Sequence, residues 1–569
     1  MKKKVLAVLL AAVTSLSLVA CGAEKAPAST APAASTETAA STEEQAEAGP
    51  DANGMQDGKF VETRHISVEL YDRSVDGGTD AGDNAWTKWI QEQMLDRYNV
   101  EVEFVTVPRW TEGEELNNLL AAENAPDICY TYSYPTIQTY ANMGGVLDLA
   151  PILDEYRPYV NNMFDWLTED AIYQDKDPST GTLWAIEGKR NEICRINTFV
   201  RKDWLDKLGL KAPTTKAEFE EMLKAFRDNA DTLLGADASK MVPYSIGSDV
   251  GWRIATLIES FMDPDITDKE LYVTGYDSRR LPMNGTKEAT QLVNKWYNDG
   301  LIWKDFYLYK AGDATEDDMI KAGFVGAFTH NYDYPFRGGK DSINAVLAAQ
   351  YGADAKFVAI NPFEDKNGKY TKYNSGITGD RKVFFPATND EVLASLLYLD
   401  FMSEAKTVEF LQAGEEGVIH TVADNGAWVI QAPDEAHHDW FQNSGKNIDM
   451  TINCNGLRLA TPELTDLSLA YSYSDVDIED VQGAIEAAKL DWKTPKVPTV
   501  RAIEAETEGT DLDNKRDQAF CNAVKASVAD FDSVWTAGLN EWLQAGGQAI
   551  ADERKIAWEE TYGDAEMLP

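Results

Sequence analysis

The sequence predicts an α/β protein of two lobes joined by a crossover, and three observations carry that expectation. Strand and helix signals alternate over residues 65–129. A strand, a polar turn, a second strand and a helix follow one another over 181–214, which suits a crossover between lobes. The length of 569 residues, 44% of them apolar, exceeds one domain at roughly 100–200 residues per domain.

Taken in order, 65–71 alternates apolar and polar side chains and reads as the first strand. A polar loop over 72–84 leads into a helix over 85–98, where Trp86, Trp89, Ile90 and Met94 fall near one face. Strand 100–107, helix 112–122 and strand 126–129 follow. Such a β-α-β-α-β run makes a mostly parallel sheet, whose ligands sit beyond the carboxyl ends of the strands. The loops 72–86 and 130–135 leave those ends. Residues 183–186 and 193–200 read as strands flanking Glu187, Lys189, Arg190, Asn191 and Glu192. Gly209 ends the short helix after them, and Thr215 with Glu218 forms a capping box for a helix over 215–228 buried through Phe219, Met222, Leu223 and Phe226. Further strands are expected at 241–246, 323–328 and 355–363. Helices are expected at 286–298 and, from a second capping box of Thr388 and Glu391, at 388–403. The remainder to Pro569 leans helical.

Ahead of this body, a basic start, an apolar run and Leu18-Val19-Ala20-Cys21 describe a secretory signal over 1–21. The apolar run of about 16 residues is short of the ~20 that span a bilayer. Residues 22–59, rich in Ala, Ser, Thr, Pro, Glu and Gly, read as a disordered tether with a reach of about 35 Å.

The chain carries 95 acidic against 52 basic residues, a net charge of −43, which excludes nucleic acid and anionic lipid as main partners. It also disfavours an anionic ligand, unless a local basic pocket overrides the global field. No phosphate loop, dinucleotide fingerprint, zincin motif or nucleophile elbow is present. Asp263-x-Asp265 and Asp365-x-Asn367 only faintly suggest calcium loops, and no metal or cofactor is expected. Cys129, Cys194, Cys454 and Cys521 follow no pairing pattern and are expected as free buried thiols.

Gly181, Trp184-Ala185-Ile186, Arg201-Lys202-Asp203-Trp204-Leu205, Gly209, Pro213 and Thr214-Thr215 together resemble the hinge of extracellular solute-binding proteins of bacterial ABC importers, family 1, carbohydrate type. Residues 125–156, 287–302, 323–328, 411–420 and the W-E-E-T-Y-G-D-A tail resemble the Gram-positive oligosaccharide-binding lipoprotein branch of that family. The resemblance implies a periplasmic-binding-protein-like type II fold, two α/β lobes joined by a multi-segment hinge. Lobe 1 would comprise 60–188 and 356–408, and lobe 2 would comprise 189–355 and 409–569. It implies lipidation at Cys21 in a bacterial lipobox, placing the chain on the extracytoplasmic face of the membrane and attached only through its lipid. It further implies a monomer that passes an oligosaccharide to ABC permease subunits without chemical turnover. In the family, the loop after the third strand touches sugar, which points to Tyr130, Tyr132 and Tyr134. The strand-to-helix loop of the second lobe points to Trp252. In the loop 330–334, Tyr332 or Tyr334 would substitute for a tryptophan. Trp86 and His330 join these, with Asp83, Arg190 and Asn331 to read hydroxyls. The same fold binding a peptide or polyamine, or a secreted polysaccharide hydrolase, are the alternatives.

Overall fold

The computed structural model describes residues 50–568 except 76, 193–194, 311–313, 374–379 and 507–509. The signal segment with Cys21, the tether over 22–49, and Cys194 lie outside the described residues. Strand β1 (Arg64–Asp72) pairs in parallel with β2 (Val100–Pro108) along its whole length, Arg64 opposite Val100 and Asp72 opposite Pro108. The helix between them, Ala85–Tyr98, starts where the Asn84 side chain accepts from the Trp86 and Thr87 amides while the Thr87 hydroxyl accepts from the Asn84 amide. It stops at Asn99, whose left-handed backbone (φ 60°) closes the last turn. Its buried face of Trp86, Ile90 and Met94 packs on the sheet. β3 (Cys129–Thr131) lies beside β1, joined by a parallel bridge from Val68 to Ile128, and β4 (Ile186–Glu187) completes the outgoing part of this sheet.

A second sheet holds β5 (Ile196–Arg201), β6 (Val242–Ser245), β7 (Val325–Asn331) and β8 (Phe357–Ile360) in the order β8-β5-β7-β6. β7 runs parallel to β6, and β5 runs antiparallel to both β7 and β8. β9 (Lys382–Phe384) then returns the chain to the first sheet, between β3 and β4 and antiparallel to each. Each sheet has its own hydrophobic core. The first includes Ile66, Val68, Trp86, Tyr130, Leu397, Met450 and Leu469, and the second includes Phe199, Phe219, Tyr244, Trp296, Phe328 and Ala470. The chain passes between the cores at three places: between Ile186 and Phe199, between Phe363 and Val383, and between Leu469 and Ala470.

Three boundaries differ from the sequence expectation. Residues 55–60 are not tether: Met55 pairs with Phe60 across Asp57-Gly58, both turn residues take positive φ, and both apolar side chains are buried. Residues 356–363 belong to the second core, because β8 pairs with β5. Residues 409–469 belong to the first core through Leu411, Ile419, Ile430, Met450, Ile452 and Leu457. The expected capping box at Thr388 does not form. Asn389 instead accepts the Glu391 amide, and the helix spans only Val392–Phe401. Cys129, Cys454 and Cys521 are free and buried. Among the described residues no helix is long and apolar enough to cross a membrane.

Candidate functional site

The carboxyl ends of β1 and β2 deliver two arginines and an exposed ring to the same place. Arg109, the first residue after β2, lies 5.0 Å over the Tyr71 ring and 4.8 Å over the Tyr132 ring. Those two rings stack 6.5 Å apart. Arg73, just past β1, is fixed by two bonds to the Asp449 carboxylate, 2.5 and 2.9 Å long. Trp110 stands beside both cations, 6.0 Å from Arg73 and 5.6 Å from Arg109, with 61% of its surface exposed. A tryptophan left this open by a chain with two well-filled cores offers a flat face to a ligand.

The second core contributes a stack of rings at the end of β7. His330 lies flat on Tyr334 with centroids 3.4 Å apart, and Trp252 meets its edge at 4.6 Å. The His330 Nδ1 accepts the Asn331 amide at 2.9 Å. Burial first, then Arg253 and Arg337, hold the imidazole well below its ordinary pKa, so the ring is neutral. The Tyr334 hydroxyl is anchored on Asp317.

Between the two cores runs a buried polar network. Lys446 Nζ is 2.9 Å from Glu192 Oε1 and donates to the Tyr473 hydroxyl at 2.9 Å. Tyr332 donates to Glu192 at 2.5 Å, and Tyr473 donates to Asp333 at 3.0 Å. Arg337 holds the other oxygen of Asp333 at 2.6 Å. Burial would raise the Glu192 and Asp333 carboxyls, but Lys446 and Arg337 respectively, with the hydroxyl donors, outweigh it and keep both below the usual range. Arg190 sits beside this network, 3.4 Å from Asp380.

Of the residues the sequence singles out, Tyr132, Arg190, Trp252, His330 and Asn331 keep partly open side chains around these features. Trp86 and Tyr130 do not: both are fully buried. The Trp86 indole donates to the Trp440 carbonyl at 2.9 Å, and the Tyr130 hydroxyl accepts the Tyr71 amide at 3.1 Å. They are packing residues, because the apolar helix face and the strand interior claim them before any ligand can. Tyr332 is also buried, its hydroxyl spent on Glu192. Asp83 is exposed and paired with Lys88 at 2.9 Å, and Tyr134 turns its hydroxyl to the Asp175 carbonyl. Sequence reasoning missed Arg73, Arg109 and Trp110. The signal was available, since they directly follow the strands read at 65–71 and 100–107. It also missed Arg337, for which no sequence pattern stands out. Asp263 pairs with Lys366 and Asp365 accepts the amides of its own turn. Among the described residues no group of three His, Cys, Asp or Glu side chains is placed to hold a metal.

Comparison with known proteins fits this architecture. No family model matches the chain. The solved structure of alginate-binding protein AlgQ2, without calcium ion, superposes with a TM-score of 0.62 at 15% identity, covering 88% of this chain and 98% of that one. The substrate-binding protein FusA of S. pneumoniae, in complex with kestose, superposes with a TM-score of 0.59 at 14% identity, covering 88% and 100%. The chain has the fold of an ABC-transporter substrate-binding protein. In that fold the two cores are the two lobes, and the three crossings are its hinge. By sequence the chain is similar to the polygalacturonan/rhamnogalacturonan-binding protein YtcQ of Bacillus subtilis (strain 168), with 25% identity over 492 residues, 81% of this chain and 86% of that protein. It is also similar to lipoprotein LipO of the same organism, with 25% identity over 344 residues, 58% and 64% of the two.

Proposed function

We propose that this protein is a lipid-anchored substrate-binding protein that captures an oligosaccharide between its lobes and presents it to an ABC permease. The observation that carries this reading is the pairing of the fold with aromatic rings that keep free surface on both lobes, the exposed Trp110 and half-buried Tyr132 on the first and the half-buried Trp252 against His330 on the second. Sugar rings are bound by stacking on such faces while a few polar groups read hydroxyls. Arg190 and Asn331 are placed for the second role. The relatives named for polygalacturonan/rhamnogalacturonan binding and crystallised with kestose support a carbohydrate over a peptide or polyamine. Closure about the hinge stores the ligand only if the closed state binds it better than the open one.

The protein does no chemistry in this reading: it binds and releases. Cys21 carries the lipid, and a Cys21→Ser chain leaves the membrane fraction. The body is a monomer, read by its mass in solution. The central test is calorimetric titration against an oligosaccharide panel. Trp252→Ala and Tyr132→Ala each weaken the glycan that binds, with no product formed. If both variants keep full affinity, the site is elsewhere.

A further inference from the structure

The ring of His330 is held in one orientation from three sides. Its Nδ1 accepts the Asn331 amide at 2.9 Å, Tyr334 lies flat against it with centroids 3.4 Å apart, and Trp252 stands perpendicular to it at 4.6 Å. Turning the ring over would put a C–H where the Asn331 amide points and take away that amide's acceptor. The Tyr334 ring is fixed in turn, because its hydroxyl donates to Asp317 on the helix Ala314–Lys321.

This geometry decides the chemistry of the other nitrogen. A neutral imidazole has one acceptor nitrogen and one donor nitrogen, and which is which follows from the bond the first one makes. With Nδ1 accepting, the proton stands on Nε2. A second proton could go only to Nδ1, against the Asn331 amide, and burial with Arg253 and Arg337 opposes it further. Arg253 reaches the site from the helix Val250–Arg253, bonded twice to Glu316 at 2.6 and 2.8 Å, and Arg337 is bonded to Asp333 at 2.6 Å. His330 is half-buried, and among the described residues no hydrogen bond or ion pair reaches Nε2.

The stack stands beside the contact between the lobes. Arg337 lies 5.9 Å over the Tyr334 ring and holds Asp333, which accepts from Tyr473 at 3.0 Å, and Tyr473 accepts from Lys446 of the first lobe at 2.9 Å. His330 is the last residue but one of β7, two before Tyr332, whose hydroxyl bonds Glu192 in the first crossing.

We propose that His330 is a specificity-determining residue whose Nε2–H donates a hydrogen bond to an oxygen of the bound sugar, with Tyr334 and Asp317 positioning the ring. This rests on the oligosaccharide reading and assigns one bond within it. The donor is neutral and offers no lone pair, so it reads an oxygen that accepts. It does so equally across the range, pH 5 to 8, in which a free histidine changes charge.

Two-bond 1H–15N NMR of the protein labelled in its histidines locates the proton, His330 being assigned among the five by the signal lost in a variant. The expected spectrum holds the Nε2–H tautomer alone from about pH 5 to pH 8. Asp317→Ala frees the Tyr334 hydroxyl and brings in the second tautomer; a single tautomer there removes Asp317 from the positioning role. Calorimetry against the oligosaccharide panel then separates donor from ring. His330→Gln keeps an N–H near Nε2 and loses the ring, whereas His330→Phe keeps a ring and loses the N–H. Both bind more weakly than the parent, and the Gln variant binds roughly tenfold tighter than the Phe variant, because only the latter leaves the sugar oxygen without its donor. An Nδ1–H tautomer, a ring that titrates between pH 5 and 8, or a Gln variant that binds no better than the Phe variant overturns the proposal and leaves the oligosaccharide reading intact. Absence of binding by every glycan overturns both.

Discussion

Replacing Lys446 with methionine tests whether the polar network between the lobes stabilises the fold through charge pairing. The position is 6% exposed, and its backbone is left-handed (φ 59°) in a way that burdens Met and Lys equally, so the substitution isolates the ammonium. Removing it strips Glu192 of the cation 2.9 Å away and leaves the carboxylate with the Tyr332 hydroxyl and the Leu457 amide. Breaking a buried ion pair on one side costs about 3–5 kcal/mol. The two remaining donors place Lys446→Met near the lower end, about 3 kcal/mol. Adding Glu192→Gln removes the stranded charge, so the double variant is more stable than Lys446→Met alone, with a coupling of about 1–3 kcal/mol. Urea unfolding followed by both fluorescence and circular dichroism measures this, two probes being needed because a protein with two cores need not unfold in one step. A cost below about 1 kcal/mol for the single variant, or a double variant whose cost is the sum of the two singles, refutes the reasoning.

Three further outcomes follow from the site geometry. Trp110→Ala weakens glycan binding by roughly tenfold or more while changing stability by less than about 0.5 kcal/mol, since the ring is mostly exposed; calorimetry and urea midpoints separate the two effects. Trp86→Ala does the reverse, costing about 3–5 kcal/mol of stability by opening a cavity and dropping the bond to the Trp440 carbonyl. Glu259, pushed up to about 7 by burial against Arg279, Arg195 and Lys372, with Tyr276 and Tyr373 beside it, binds its proton more tightly folded than unfolded. Its contribution is therefore full below pH 4.5 and is lost as pH rises through 7, so the urea midpoint falls from pH 5 to pH 8, and Glu259→Gln flattens that part of the profile.

The sheets were legible because each rests on local pattern. The helix Ala85–Tyr98 matches its expected bounds because Asn84 and Asn99 mark both ends in the sequence. The helix after Thr215 matches because the threonine accepts the Glu218 amide. The lobe boundaries were not legible, because nothing in the text of 409–469 says which sheet its apolar residues will cover. Only the contact of Met450 and Ile452 with the first core decides that. For the site, residue type misled where burial was not visible. Trp86 and Tyr130 look like sugar platforms by composition and are core by periodicity, and periodicity wins because the parallel sheet covers both its faces. Trp110 was overlooked for the converse reason, lying in a short polar link that carries no periodicity at all.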